Sequence, residues 1–146
     1  MSRVDFYVLP ENTNTDRFAC IMIGKAWSKG NQIYVHTTSM AEAAQIDDLL
    51  WIFRDISFIP HAVMEEDGQV ESPIVIGCQD TSPEGKQVMV NLTSAVPSFA
   101  MAFTRIIEFV AGDQARRQQA RMRYRHYRDL GCDIHNHSID ATHELT

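Results

Sequence analysis

Short apolar runs alternate along this chain with segments long enough to be helices, and that order restricts the fold more than any other feature. "RVDFYVL" (3–9) reads as a buried strand, and "QIYVHT" (32–37), "PIVIGC" (73–78), "QVMVNL" (87–92) and "TRIIEFV" (104–110) read as four more. Between the first two lies "DRFACIMIGKAWSKG", a helix apolar around much of its circumference that stops at Gly30. Asn12, Thr13 or Asn14 can cap it. Thr38 or Ser39 can cap a second helix through "MAEAAQIDDLLWIF", and a third runs from Ala111 to Leu130, ended by Gly131. Strand, helix, strand, helix, then strands, then strand and helix predicts an α/β fold. Its central sheet is largely parallel, with helices on both faces. "PIVIGC" and "QVMVNL" are expected to form a hairpin across "QDTSPEGK", "RDISFIPH" a loop, and "SAVPSFAMAF" an irregular or short helical link. Residues 132–146 show no apolar periodicity and are expected to be a loosely held tail, leaving 1–131 as the single domain.

The 146 residues suit one apolar core. No apolar run approaches the roughly 18 residues of a membrane span, and the N-terminus lacks a signal-peptide pattern. Three cysteines, Cys20, Cys78 and Cys132, are odd in number and lack C-x-x-C spacing, as expected of free thiols in a reducing cytoplasm. The net charge of −6 argues against broad, non-specific DNA binding by the whole domain.

No catalytic constellation emerges. The first strand–helix turn, "LPENTNTDR", contains no glycine, so the backbone cradle for a dinucleotide is absent. Gly77 and the "GK" at 85–86 have the wrong spacing for a phosphate loop, and Gln87 stands where a Ser or Thr would hold Mg²⁺. His135, His137 and His143 lie near Cys132, but their spacing matches no closed metal site. Asp5, Asp47, Asp48 and Asp55 have no evident partner base and read for the most part as solvated acids. No cofactor, metal or catalytic residue is assigned.

Two features do carry information. Six of the thirteen basic residues fall within "RRQQARMRYRHYR" (116–128), which holds no acid. At about 100° per residue, Arg117, Arg121, Tyr124, Arg125 and Arg128 share an arc of roughly 100°. A solvated face would mix in acids at i, i+4. Part of the pattern follows from the helix dipole, which favours cations near a C-terminus. An anion fits the rest, and a short acidic peptide with an apolar residue fits beside Tyr124 better than a long duplex does. The second feature is Trp51. Ile46, Leu49, Leu50 and Phe53 form a core stripe, and Trp51 lies roughly 150° away on the side of Asp47 and Asp48. It either meets a partner or is covered by residues 54–62 of its own chain.

These stretches, taken in order, resemble the chi subunit of bacterial DNA polymerase III. The resemblance rests on "FYVL", on Cys20, Trp27 and Gly30 in "CIMIGKAWSKG", and on "DDLLW" followed by "SFIPH". It continues through "VNLTSAVPSFAMAFTRIIEFV" and "ARMRYRHYRDLG", to about residue 131. It implies a Rossmann-like, non-catalytic subunit of the clamp-loader assembly, paired one to one with the psi subunit. It also implies binding of the acidic C-terminal tail of single-stranded DNA-binding protein, which ends in an aromatic residue with a free carboxylate. By motif match, Arg121 would take the terminal carboxylate, Val110 and Tyr124 would line an aromatic notch, and Arg117 and Arg125 would face the tail's acids. Arg128 completes the stripe. Trp51, Phe58, Ile59, Pro60 and His61 match the region that meets psi. Contact with nucleic acid would be indirect and the location cytoplasmic, with no membrane involved. Relatives often carry lysine at some tail-binding positions where this chain has arginine.

Two other classes fit parts of the same pattern. A direct nucleic-acid binder would use the arginine helix itself and show a steep salt slope. A nucleotide-binding enzyme on a Rossmann-like scaffold would need the missing glycine turn.

Overall fold

The structure, a computed structural model, describes residues 2–10, 13–53, 58–64, 72–81 and 83–139. β1 (Arg3–Val8) is followed by α1 (Thr15–Ser28), β2 (Ile33–His36), α2 (Met40–Ile52) and β3 (His61–Val63). Then come β4 (Ile74–Gly77), β5 (Val88–Asn91), a 3-10 turn (Ala100–Ala102), β6 (Arg105–Val110), α3 (Gln114–Asp129) and β7 (Asp133–Ser138). The strands form one sheet in the order β3-β4-β2-β5-β6-β1-β7, and every neighbouring pair is parallel. The α/β reading with a parallel sheet and helices on both faces holds.

Both faces of the central strands are covered, which is why those runs read as continuously apolar. On one face, Phe18 and Ile23 of α1 and Ala43, Ile46 and Leu50 of α2 pack on Ile33, Val35, Ile76 and Ile107. On the other, Tyr127 of α3 and Ala100 and Phe103 near the 3-10 turn pack on Val4, Phe6, Tyr34, Met89 and Ile106. The helix starts follow local capping chemistry. Asn14 accepts from the Arg17 N–H at 3.1 Å, and Asp113 accepts from the Arg116 N–H at 2.9 Å. Ser39 accepts from the Glu42 N–H, and the Glu42 carboxylate reaches back to accept from the N–H of Thr38, one residue before the cap. Gly131 ends α3 at φ +81°, a conformation other residues adopt only with strain.

Three expectations are corrected. β4 and β5 do not form a hairpin: each lies parallel to β2, on opposite sides of it. Gly77 therefore serves packing, since a Cβ there would lie 2.9 Å from the Tyr34 hydroxyl. The segment after Pro60 is not all loop, because His61–Val63 extends the sheet as β3 beside β4. The chain beyond residue 132 is not wholly a loose tail either. Residues 133–138 pair with β1 through six residues. Asn12, Asp55 and His143 lie outside the described residues.

Asp5 is also unlike its expectation as a solvated acid. It is fully buried, and Arg3 and Arg105 pair with it, the latter at 2.8 Å. His137 of β7 reaches the same carboxylate at 2.8 Å and stacks on Tyr7 at 4.7 Å. Burial pushes the Asp5 carboxyl up, but hydrogen bonds from Arg3, His137 and Arg105 outweigh it and hold it at about 2. That cluster locks the edge strand to the sheet.

Candidate peptide-binding site

The rotation of α3 decides which arginines are available. Ala120, Arg123 and Tyr127 are its buried residues, at spacings of three and four. Arg123 donates from Nε to Glu108 Oε1 at 2.9 Å and from its terminal nitrogens to the carbonyls of Phe109 and Ser94. The Tyr127 hydroxyl donates to the other Glu108 oxygen at 2.6 Å, and Asn91 donates to the same oxygen at 2.7 Å. Burial pushes the Glu108 carboxyl above the ordinary range, with Arg123 and these hydrogen bonds opposing it. The contacts of Arg123 and Tyr127 with Glu108 and Phe109 fix α3 on β6, and Asn91 of β5 braces the same carboxylate. One of the six arginines is therefore an internal ion-pair partner and not a surface cation. The signal was available: an acid inside "RIIEFV" and an arginine in line with Ala120 and Tyr127.

With that face inward, the stripe points out. Arg117 is half-buried and hydrogen-bonds the carbonyls of Gly112 at 3.3 Å and Leu9 at 3.5 Å, which holds its guanidinium against the end of β1. Arg121 and Arg125 are exposed and make no hydrogen bond or ion pair among the described residues. Among the described residues Arg128 pairs with its neighbour Asp129, at 3.6 Å, with both side chains mostly exposed. Such a pair contributes little. Tyr124 is half-buried, its ring 5.5 Å from that of Phe6. Val110, Tyr124, Cys132 and Ile134 are partly buried against one cluster with Phe6 and Tyr127. The structure thus brings Val110, Arg117, Arg121, Tyr124, Arg125 and Arg128 to one side of α3, with apolar ground beside the ring. Ile134 belongs to that ground and was hidden by its assignment to the tail.

The second group divides. Trp51 is 55% exposed and Phe58 95% exposed, and Pro60 is also exposed. Ile59 and His61 are buried and form the floor. The Trp51 ring lies 4.3 Å from that of His61. His61 Nδ1 donates to the Ile59 carbonyl at 2.8 Å, while Nε2 has no hydrogen-bond partner among the described residues and sits 3.8 Å from Asp47. Ile52, next to Trp51 at the end of α2, is 78% exposed and falls outside the core stripe.

A crevice of about 550 Å³ opens at the carboxyl ends of β5 and β6, where α/β sheets often hold nucleotides. Thr13 and Asp16 at the start of α1, Glu42 of α2 and Arg116 of α3 line it. Burial raises the Asp16 carboxyl, and the nearby Glu42 carboxylate raises it further. The Arg116 guanidinium opposes that rise. No group of three His, Cys, Asp or Glu residues could hold a metal among the described residues.

The family pattern described as "DNA polymerase III chi subunit, HolC" matches residues 1–135. The chain is 38% identical to the DNA polymerase III subunit chi of Pseudomonas aeruginosa over 141 residues, 95% of this chain and 98% of that one. It is 31% identical to the subunit chi of Haemophilus influenzae over 92% of this chain and 95% of that one. For Escherichia coli subunit chi the identity is 27%, over 92% and 96%. Among solved structures, T4 UvsW superposes with a TM-score of 0.64 at 8% identity, covering 94% of this chain and 41% of that one, a likeness of fold alone. No helix among the described residues is long and apolar enough to cross a membrane. The chain belongs to the DNA polymerase III chi subunit family, accessory rather than catalytic subunits of the replicative polymerase.

Proposed function

We propose that this chain is a cytoplasmic adaptor that grips the acidic C-terminal tail of single-stranded DNA-binding protein. Through the psi subunit it ties that tail to the clamp-loader assembly. The observation that carries this reading is the pair Arg121 and Arg125, exposed and without an acid partner among the described residues, beside the half-buried Tyr124. Exposed ion pairs contribute up to about 1 kcal/mol each. Burying an aromatic side chain adds about 1.5–3 kcal/mol. The sum corresponds to micromolar-class affinity once ordering is subtracted. Many tails on one coated strand raise the local concentration, so a weak single site suffices. Trp51, Ile52, Phe58 and Pro60 form the surface offered to psi, with Ile59 and His61 holding it in shape. Calorimetric titration with a tail peptide, before and after Arg121→Ala, tests the tail site. A direct nucleic-acid binder would instead hold oligonucleotides tightly without any protein partner.

A further inference from the structure

We propose that the outer edge of β7 receives the acidic peptide as an added strand, so that backbone pairing and the arginine stripe hold it together. This rests on the tail-binding reading and adds the mode of binding. β7 ends the seven-stranded sheet. The Asp133 N–H donates to the Ser2 carbonyl and the Ile139 N–H to the Val8 carbonyl, each at 3.0 Å. In a parallel pair each residue directs both its N–H and C=O to one side, and successive residues alternate. Residues 133, 135, 137 and 139 therefore face β1. Ile134, Asn136 and Ser138 turn their backbone donors and acceptors outward. Edges are commonly guarded by Lys, Pro or a bulge. β7 has no Lys or Pro, and its six residues pair with β1 one to one.

The stripe lies along this edge. Ile134, Asn136 and Ser138 align with Val4, Phe6 and Val8, on the sheet face that α3 covers. Arg117 reaches the Leu9 carbonyl at one end of β1, and the Cys132 N–H donates to the Tyr127 carbonyl at the other, so α3 runs the length of β7. Arg117, Arg121 and Arg125 rise by about 6 Å per step along the helix. Alternate residues of a strand are about 6.6–6.8 Å apart. Long guanidinium side chains absorb that difference, so alternate acids of an extended peptide can meet successive arginines. A second copy pairing edge to edge would set two cationic rows together, which favours the acidic peptide.

The test is amide exchange by NMR on the full chain, with and without a synthetic acidic tail peptide. Exchange is expected to slow at Ile134, Asn136 and Ser138 and to stay constant at His135 and His137. Asn136→Pro removes one outward donor and leaves the β1 hydrogen bonds intact, since proline is tolerated where an edge N–H faces solvent. It is expected to weaken binding about 5- to 10-fold, the order of one lost hydrogen bond. Asn136→Ala keeps that donor and should stay within about 2-fold. Unchanged exchange at the three amides overturns strand addition, even if Asn136→Pro fails to fold. If Arg121→Ala still abolishes binding in that case, the tail site itself stands. If the peptide binds equally with and without Arg121, the tail site fails as well.

Discussion

Arg123 meets Glu108 inside the protein at 2.9 Å, the carboxylate wholly buried and the guanidinium nearly so. This pair sets the rotation of α3 and so directs the other arginines outward. Removing one partner of such a pair leaves an uncompensated charge in the core, a loss of about 3–5 kcal/mol. Arg123→Ala is expected to lower the urea midpoint accordingly. Arg121→Ala, on the exposed side of the same helix, should change stability by less than about 0.5 kcal/mol. Equal effects from the two would remove the distinction drawn between them.

The Asp5 carboxyl is held at about 2, below its ordinary 3.8. A depressed acid stabilises the fold above its unfolded value, and that contribution disappears as pH falls through the folded value. Stability should therefore drop by about 2 kcal/mol between pH 4 and pH 2 from this group. Asp5→Asn should be less stable at neutral pH and lack that part of the acid dependence. Denaturant midpoints measured across the pH range would show it.

Gly77→Ala brings a Cβ to 2.9 Å from the Tyr34 hydroxyl and 3.1 Å from the Met64 methyl. Tyr34 is fully buried and stacked on Phe103 with ring centroids 5.9 Å apart, so it cannot retreat freely. Overpacking of this kind costs about 1–3 kcal/mol. A thermal melt indistinguishable from that of the unchanged protein would show that the ring yields.

Trp51→Ala and Phe58→Ala remove exposed rings and should leave stability nearly unchanged. Central aromatic anchors at interfaces are often worth about 2 kcal/mol or more. Each variant is expected to weaken psi capture by more than tenfold and to leave tail-peptide binding alone. Normal co-purification with psi would move that interface elsewhere.

Much of the fold was readable because its strands lie in the interior: β1, β2, β4, β5 and β6 need apolar residues on both faces. β7 was not readable, because an edge strand can be polar; within "DIHNHS" only Ile134 is apolar. β3 is three residues long and gives no period. The β4–β5 relation was missed because nearness in sequence suggested a hairpin, while β2, far earlier in the chain, lies between them. Asp5 draws its partners from residues 3, 105 and 137, two of them beyond any local pattern. The stripe was legible because helical spacing is local. Which of its arginines face outward depends on how α3 sits, which the spacing alone does not state.

The most direct test of the adaptor reading is titration calorimetry of the full chain with a tail peptide of single-stranded DNA-binding protein, repeated with Arg121→Ala. The account predicts micromolar-class, salt-sensitive binding that falls by more than tenfold in the variant, with the melting temperature unchanged. Equal affinity for the two proteins, or no binding by either, would contradict it.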